Sequence, residues 1–309
     1  MRLIFMGTPD FARVSLKKLL DSSHEVLAVV TVPDKPKGRG LKLMPSPVKE
    51  LATAYGLPVL QPVSLKDAQF IQTLKEFKAD IFVVVAFRIL PREVFTLPPK
   101  GTVNLHASLL PKYRGAAPIN WAIINGETET GVTTIFINER VDQGNILLQE
   151  RVPIGPDMTA GELHDILAEI GADVLLKTLD RLQAGNIVPK KQDPALVTKA
   201  PKITREICHL NFNQPAQDVH NYIRGLSPYP GAFAYWNGKL LKLFRSQPVT
   251  VDYASAEPGV VVNVMKNAFS VQCASGTIDI HEVQLQGKKK MPVQSFLNGQ
   301  PLKEGDRLT

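Results

Sequence analysis

Hydrophobic positions in the first 150 residues fall into two alternating patterns. Short runs at 3–6, 26–32, 81–86, 102–105 and 132–137 are apolar and rich in β-branched residues, and they predict strands buried on both faces. Between them, 12–20, 47–55, 67–77 and 118–124 predict helices. A longer helix is predicted at 160–182, where Leu163, Ile166, Leu167, Ile170, Val174, Leu175, Leu179 and Leu182 keep three-to-four spacing and imply one buried face. Such alternation predicts an α/β fold, a mostly parallel sheet covered by helices.

Periodicity stops after Gly185. The stretch through Pro189-Lys190-Lys191-Gln192-Asp193-Pro194 to Pro201-Lys202 reads as a basic, proline-stiffened linker. Beyond it a helix is expected at 215–224. Strands are expected at 232–236, 240–244, 259–264, 269–273 and 277–283, separated by turns such as Asn237-Gly238, Asn267-Ala268 and Ser275-Gly276. This second region therefore reads as a small antiparallel barrel or sandwich.

Charge sharpens the division. Residues 1–189 hold 21 Lys and Arg against 20 Asp and Glu, whereas residues 190–309 hold 15 against 9, so the second region carries nearly all of the net +7. A basic region of this kind suits a polyanion, although a merely soluble basic surface gives the same count. Cys208 and Cys273 are the only cysteines, without CxxC spacing; they suggest neither a disulfide framework nor zinc, and they fit a reducing cytosol. No signal-peptide pattern and no apolar run of spanning length is present.

Two polar constellations interrupt the apolar pattern. Asn104 and His106 lie two apart at a strand end, so they share a face where open α/β sheets bind ligands. An amide donor beside an imidazole can hold an oxyanion; a polar strand end satisfied by local hydrogen bonds reads the same way. Asp142, in Val141-Asp142-Gln143-Gly144, can orient an imidazole and take up a proton, or can simply form a turn. Gly7 after the first strand is followed by Thr8-Pro9, and without the GxGxxG fingerprint a nicotinamide cofactor is rejected. The stretch from Asp34 to Leu43, with four bases around two glycines, is too polar and broken for a regular element and reads as a solvated loop.

Taken together, the run Asn104-Leu105-His106-Ala107-Ser108-Leu109-Leu110-Pro111-Lys112-Tyr113-Arg114-Gly115-Ala116-Ala117-Pro118 and the later Asp142 resemble the folate-dependent formyltransferase family. The opening Phe5-Met6-Gly7-Thr8-Pro9-Asp10-Phe11-Ala12, the Arg114-Gly115-Ala116-Ala117-Pro118-Ile119 run, Ile223-Arg224-Gly225 with Pro228, Pro230 and Gly231, and Leu285-Gln286-Gly287-Lys288-Lys289-Lys290-Met291 are similar to its members that act on methionyl-initiator tRNA. The resemblance covers essentially the whole chain. It implies a Rossmann-like formyltransferase domain at 1–188, a linker at 189–205, and a small OB-like β-barrel at 206–309 that binds tRNA.

It further implies that Asn104, His106 and Asp142 are catalytic. Ser108, Leu109, Leu110, Pro111 and Phe87 would lie around the folate. Lys37, Arg39, Lys42, Lys288, Lys289 and Lys290 would meet tRNA. The formyl donor would be 10-formyltetrahydrofolate, the acceptor methionyl-initiator tRNA, the site metal-free, and the protein a cytoplasmic monomer away from membranes. Formyltransferases acting on glycinamide ribonucleotide or sugar nucleotides, and formyltetrahydrofolate hydrolase, share the catalytic set; the basic loop and basic second region favour the large polyanion. A non-enzymatic RNA-binding protein on the same scaffold is disfavoured by the intact catalytic set. One departure stands out: Ala86-Phe87-Arg88 occupies the place where the family often reads Ala-Tyr-Gly, so Arg88 replaces a residue free to adopt positive φ.

Overall fold

The β-branched runs become strands, each hydrogen-bonded to its neighbours. The computed structural model of the 309-residue chain describes residues 1–37, 42–251, 253 and 256–309. Its elements begin β1 (Arg2–Gly7), α1 (Asp10–Leu20), β2 (Glu25–Val30), β3 (Lys35–Lys37), β4 (Lys42–Met44), α2 (Pro47–Ala54), β5 (Val59–Leu60) and α3 (Ala68–Glu76). Then come β6 (Ile81–Val85), α4 (Arg92–Phe95), β7 (Thr102–His106), β8 (Arg114–Gly115), α5 (Pro118–Ile124), β9 (Glu129–Phe136), β10 (Ile146–Pro153) and α6 (Ala160–Gln183). The last third holds β11 (Lys199–Ala200), α7 (Ala216–Leu226), β12 (Ala232–Trp236), β13 (Lys239–Val249), β14 (Val261–Val264), β15 (Phe269–Gln272), β16 (Thr277–Leu285), β17 (Met291–Pro292) and α8 (Val293–Leu297).

Two compact units result, and no single cut separates them. The first comprises Met1–Gly115, Gly131–Val152 and His164–Lys199; the second comprises Ala116–Thr130, Pro153–Leu163 and Ala200–Thr309.

The first unit is built on a seven-stranded sheet ordered β10-β9-β7-β6-β1-β2-β5. Strands β5, β2, β1, β6 and β7 run parallel, and β9 is antiparallel to β7. Fully buried Leu3, Ile4, Phe5, Met6 and Ile81 explain why these runs do not alternate: both sheet faces are covered. The strand order reverses at β1 and β6, where such sheets leave a crevice beyond their strand ends. A Cβ on Gly7 would lie 2.7 Å from the Ala12 Cβ and 3.0 Å from the Val85 carbonyl, so that glycine serves the close packing of α1 on the sheet.

Helix α6 buries Leu163, Leu167, Ala168, Ala172, Val174, Leu175, Thr178 and Leu179, but Ile166, expected on the buried face, is 37% exposed. Around the helix the buried stripe is centred near Gly171 and Thr178, and at about 100° per residue Ile166 falls roughly 140° away. The stretch expected to lack regular structure also differs. Strands β3 and β4 pair there as an antiparallel ribbon, Lys35 opposite Met44 and Lys37 opposite Lys42. The pairing is backbone-driven, hence invisible in the side-chain pattern, and its root is fixed: Lys49 Nζ meets Asp34 Oδ2 at 2.6 Å and Gln61 Oε1 at 2.8 Å.

In the second unit an antiparallel sheet is ordered β12-β13-β16-β15-β14, with β17 on β16. The last residues bridge both outer strands, Leu308 to Trp236 and Arg307 to Val260, which closes a small barrel. Left-handed Asn237 and Gly238 make the β12–β13 hairpin turn. Helix α7 lays Val219, Ile223 and Leu226 on the barrel core with Leu241, Val271 and Ile280. Helix α5 packs on α7, with Asn120 Nδ2 donating to the Gly225 carbonyl at 2.7 Å. No described helix is long and apolar enough to cross a membrane.

Candidate active site

Strand β7 carries Asn104 and His106 between parallel β6 and antiparallel β9, with Asn104 beside Val84 and Ile135 and His106 beside Thr133. The Asn104 amide is half-exposed and, among the described residues, makes no side-chain hydrogen bond. His106 is only 7% exposed, and its Nε2 lies 2.9 Å from the Tyr113 carbonyl. A carbonyl can only accept, so Nε2 carries the proton and Nδ1 is the nitrogen left for chemistry. Nδ1 faces Asp142 Oδ1 at 3.7 Å, beyond hydrogen-bond length.

Asp142 is held from several sides. Its Oδ2 accepts from the Gly115 N–H at 2.9 Å, and its backbone adopts φ +53°. Two residues on, a Cβ on Gly144 would sit 1.5 Å from the Phe136 carbonyl, so only glycine lets this loop lie against β9. Gln192 then ties the loop down: its Nε2 donates to the Asp142 and Gly144 carbonyls, both at 2.8 Å, while its Oε1 accepts from Arg114 Nε and Nη2 at 3.1 and 2.7 Å. Sequence reasoning missed Gln192. It sits in the stretch read as a linker, which is pinned to the first unit by a bridge between Lys190 and Ile146 and by the Arg114 N–H donating to the Thr198 carbonyl at 3.0 Å. Only its position among prolines, with no periodic signal, marks it. Burial pulls the Arg114 guanidinium below its ordinary pKa, and nearby Asp142 opposes that shift.

Beyond Asn104 and Asp142 opens a cleft whose walls are Val84, Phe87, Arg88, Ile89, Leu90, Ile135, Ile137 and the loop 138–142. Arg88 does not take the left-handed conformation; Ala86 does, at φ +47°, so the departure from the family pattern is absorbed two residues earlier. The Arg88 Nη1 and Nη2 atoms donate to the Val63 and Pro62 carbonyls at 3.0 and 2.8 Å, and the guanidinium lies 5.2 Å from the Phe87 ring centre. Burial lowers the pKa of that guanidinium.

Ser108, Leu109, Leu110 and Pro111 do not line this cleft. Their polar groups are used locally: Ser108 Oγ donates to the Lys112 carbonyl, and Thr133 Oγ1 donates to the Ser108 carbonyl and accepts from the Leu110 N–H. Lys288, Lys289 and Lys290 are exposed on the β16–β17 turn, where Lys290 pairs with Glu282 at 3.0 Å. Arg39 lies outside the described residues, as do the side chains of Lys37 and Lys42 at the end of the ribbon. Among the described residues no group of three His, Cys, Asp or Glu is placed to hold a metal.

Two family descriptions match the chain, formyl transferase over residues 1–179 and formyl transferase C-terminal domain over residues 202–301. The chain belongs to the formyl transferase family. It is 48% identical over 306 residues to a protein named methionyl-tRNA formyltransferase from Desulforamulus reducens, covering 99% of this chain and 96% of that one. It is 49% identical over 309 residues to the protein of the same name from Moorella thermoacetica, covering 100% and 99%. Among solved formyl transferase folds, WlaRD, a sugar 3N-formyl transferase determined with dTDP and 5-N-formyl-THF, superposes with a TM-score of 0.69 at 22% identity, over 94% of this chain and 99% of that one. HypX from Aquifex aeolicus in complex with tetrahydrofolic acid gives 0.67 at 19% identity, over 100% of this chain and 50% of HypX. At those identities the likeness establishes the fold.

Proposed function

We propose that this formyl transferase moves the formyl group of 10-formyltetrahydrofolate to the amino group of methionine on initiator tRNA. The observation that carries the chemistry is the unpartnered Asn104 amide lining an apolar-walled cleft, with His106 two residues on along the strand and its Nδ1 facing Asp142 at 3.7 Å. As the amine nitrogen bonds to the formyl carbon, negative charge develops on the formyl oxygen. Asn104 Nδ2 donates a hydrogen bond to it, and His106, protonated at Nδ1, adds a second donor. Asp142 stabilises that imidazolium and takes part in removing the amine proton, which passes to the departing N10.

The cleft's apolar walls suit a flat heterocycle, with Phe87 among them. On this reading residues 1–188 form the catalytic domain, 189–205 the linker and 206–309 a tRNA-binding domain. Lys37, Arg39, Lys42, Lys288, Lys289 and Lys290 contact the RNA, and the protein works in the cytoplasm as a monomer. Relatives of nearly equal length named for this reaction support the choice of acceptor. The test is turnover with 10-formyltetrahydrofolate and charged initiator tRNA beside a glycinamide ribonucleotide control. Formylation of the ribonucleotide in preference to the tRNA would overturn the reading.

A further inference from the structure

One aromatic ring in the second unit is placed as if folding had no use for it. Tyr229 is 83% exposed, against 46% for Tyr55 and 39% for Tyr253, the other described tyrosines on the surface. Among the described residues its side chain makes no hydrogen bond and no ring contact. The backbone beneath it is the reverse. The Gly231 N–H donates to the Leu226 carbonyl at 2.8 Å, and the Gly161 N–H donates to the Ser227 carbonyl at 3.0 Å. Ser227 and Gly231 are buried, and proline on each side of Tyr229 fixes φ. The result is a short arch with both feet anchored and a ring at its apex.

One ammonium is tied to the backbone of the same arch. Lys242 Nζ donates to the carbonyl of the very next residue, Pro230, at 2.6 Å, which leaves two of its N–H groups unused. Among the described residues no carboxylate pairs with it. Phe244 packs where a Gly231 Cβ would be, and the Lys290 ammonium lies 5.4 Å from its ring centre. A flat, water-exposed π-surface one residue from a carbonyl that holds an unneutralised ammonium matches an unpaired nucleotide: the base has a face to stack and the phosphate takes the charge.

We propose that Tyr229 is a stacking platform for an unpaired base of the acceptor RNA, with Lys242 meeting a phosphate of the same strand. The proposal rests on the tRNA reading above. It is tested with the full chain, measuring Kd for initiator tRNA across a salt series for the parent, Tyr229→Ala, Tyr229→Phe and Tyr229→Trp. Losing one base–aromatic stack should weaken Tyr229→Ala by about 5- to 150-fold. The Phe and Trp variants should bind like the parent. The slope of log Kd against log salt should not change, because no charge is removed. Emission from the indole introduced by Tyr229→Trp should be quenched by tRNA and not by a fully paired RNA duplex. If the parent binds tRNA and Tyr229→Ala binds equally well, the platform alone is wrong. A Phe variant as weak as the Ala variant, or equal quenching by duplex, also overturns it. If the parent shows no tRNA binding at any salt, the acceptor reading falls and the platform falls with it.

Discussion

His106 and His220 are both buried, each close to an aspartate, yet their surroundings differ in one decisive respect. His220 uses both ring nitrogens, Nδ1 with Ser246 Oγ at 3.0 Å and Nε2 with the Pro156 carbonyl at 3.1 Å. One turn along α7, Arg224 is just as fully used: it donates to the Gly155 and Met158 carbonyls and to Asn221 Oδ1. His106 instead has one nitrogen bonded and the other short of a partner, beside an amide with none. Burial of polar groups is therefore no guide to chemistry by itself. A saturated network fixes architecture, whereas a set left one bond short, and open to a cleft, is prepared for a ligand.

The contrast breaks most sharply by mutation at the unsaturated set. His106→Ala should lower kcat by about 10²- to 10³-fold at saturating substrates while the melting temperature stays near that of the parent. Asp142→Asn should behave similarly with donor affinity nearly intact, and a variant of either residue with normal kcat would contradict the assignment. Gln192→Ala sharpens the comparison, since Gln192 is saturated yet holds the loop that carries Asp142. Freed to shift by about an ångström, Asp142 should become less effective, with kcat down by up to about 10²-fold and donor Kd little moved. Loss of stability alone would place Gln192 with the architectural residues.

At the saturated set the expected effect is on folding. Arg224→Ala removes a buried guanidinium from the half-buried Gly155 and Met158 carbonyls and from Asn221 Oδ1, at about 1–3 kcal/mol of stability, and lowers Tm by a few degrees. Turnover measured well below Tm should be close to that of the parent; a selective loss of kcat would undo the distinction. The smallest effect concerns pH. Burial holds the His220 pKa below the ordinary histidine value, so the unfolded chain takes up the proton first as pH falls. That stability is present above about pH 6.5 and is lost progressively below it. His24, also lowered by burial, acts with the same sign. Scanning calorimetry of His220→Gln should therefore show a shallower fall of Tm between neutral and acid pH than the parent, and an unchanged slope would rule His220 out as a source.

What the sequence made legible follows from which forces it records. Side-chain periodicity reports burial, so β1, β2, β6, β7, β9 and helices α1, α2, α3, α5 and α6 were readable to within a few residues, as were the barrel strands β12, β14, β15 and β16, whereas β13 runs on to Val249 and β17 was not expected. The residue pattern also brought Asn104, His106 and Asp142 forward; Asn104 and Asp142 line one cleft, and the buried His106 faces Asp142 at 3.7 Å. Backbone pairing leaves no such trace. The basic ribbon of β3 and β4 and the two-residue β5 therefore escaped notice, and the four-residue α4 was too short for a period. Nor does an apolar face name its partner: α5 was legible as a helix, but not that its face belongs on α7. Gln192 was hidden for a related reason, because a polar side chain bonded to backbone carbonyls looks, in sequence, like any polar residue in a loop.

The three-part composition of the second unit has a consequence for the order in which the chain can fold. Asn120 waits for a carbonyl 105 residues further on, and Ile124 for the glycine that makes room for it at 225. Contacts of that sequence separation form late, because a long loop must close before any of them is made. On an emerging chain the apolar face of α5 therefore stays uncovered until α7 has been synthesised. A fragment ending at residue 188 would carry that face permanently into water, as a site for a chaperone or for another unfinished copy.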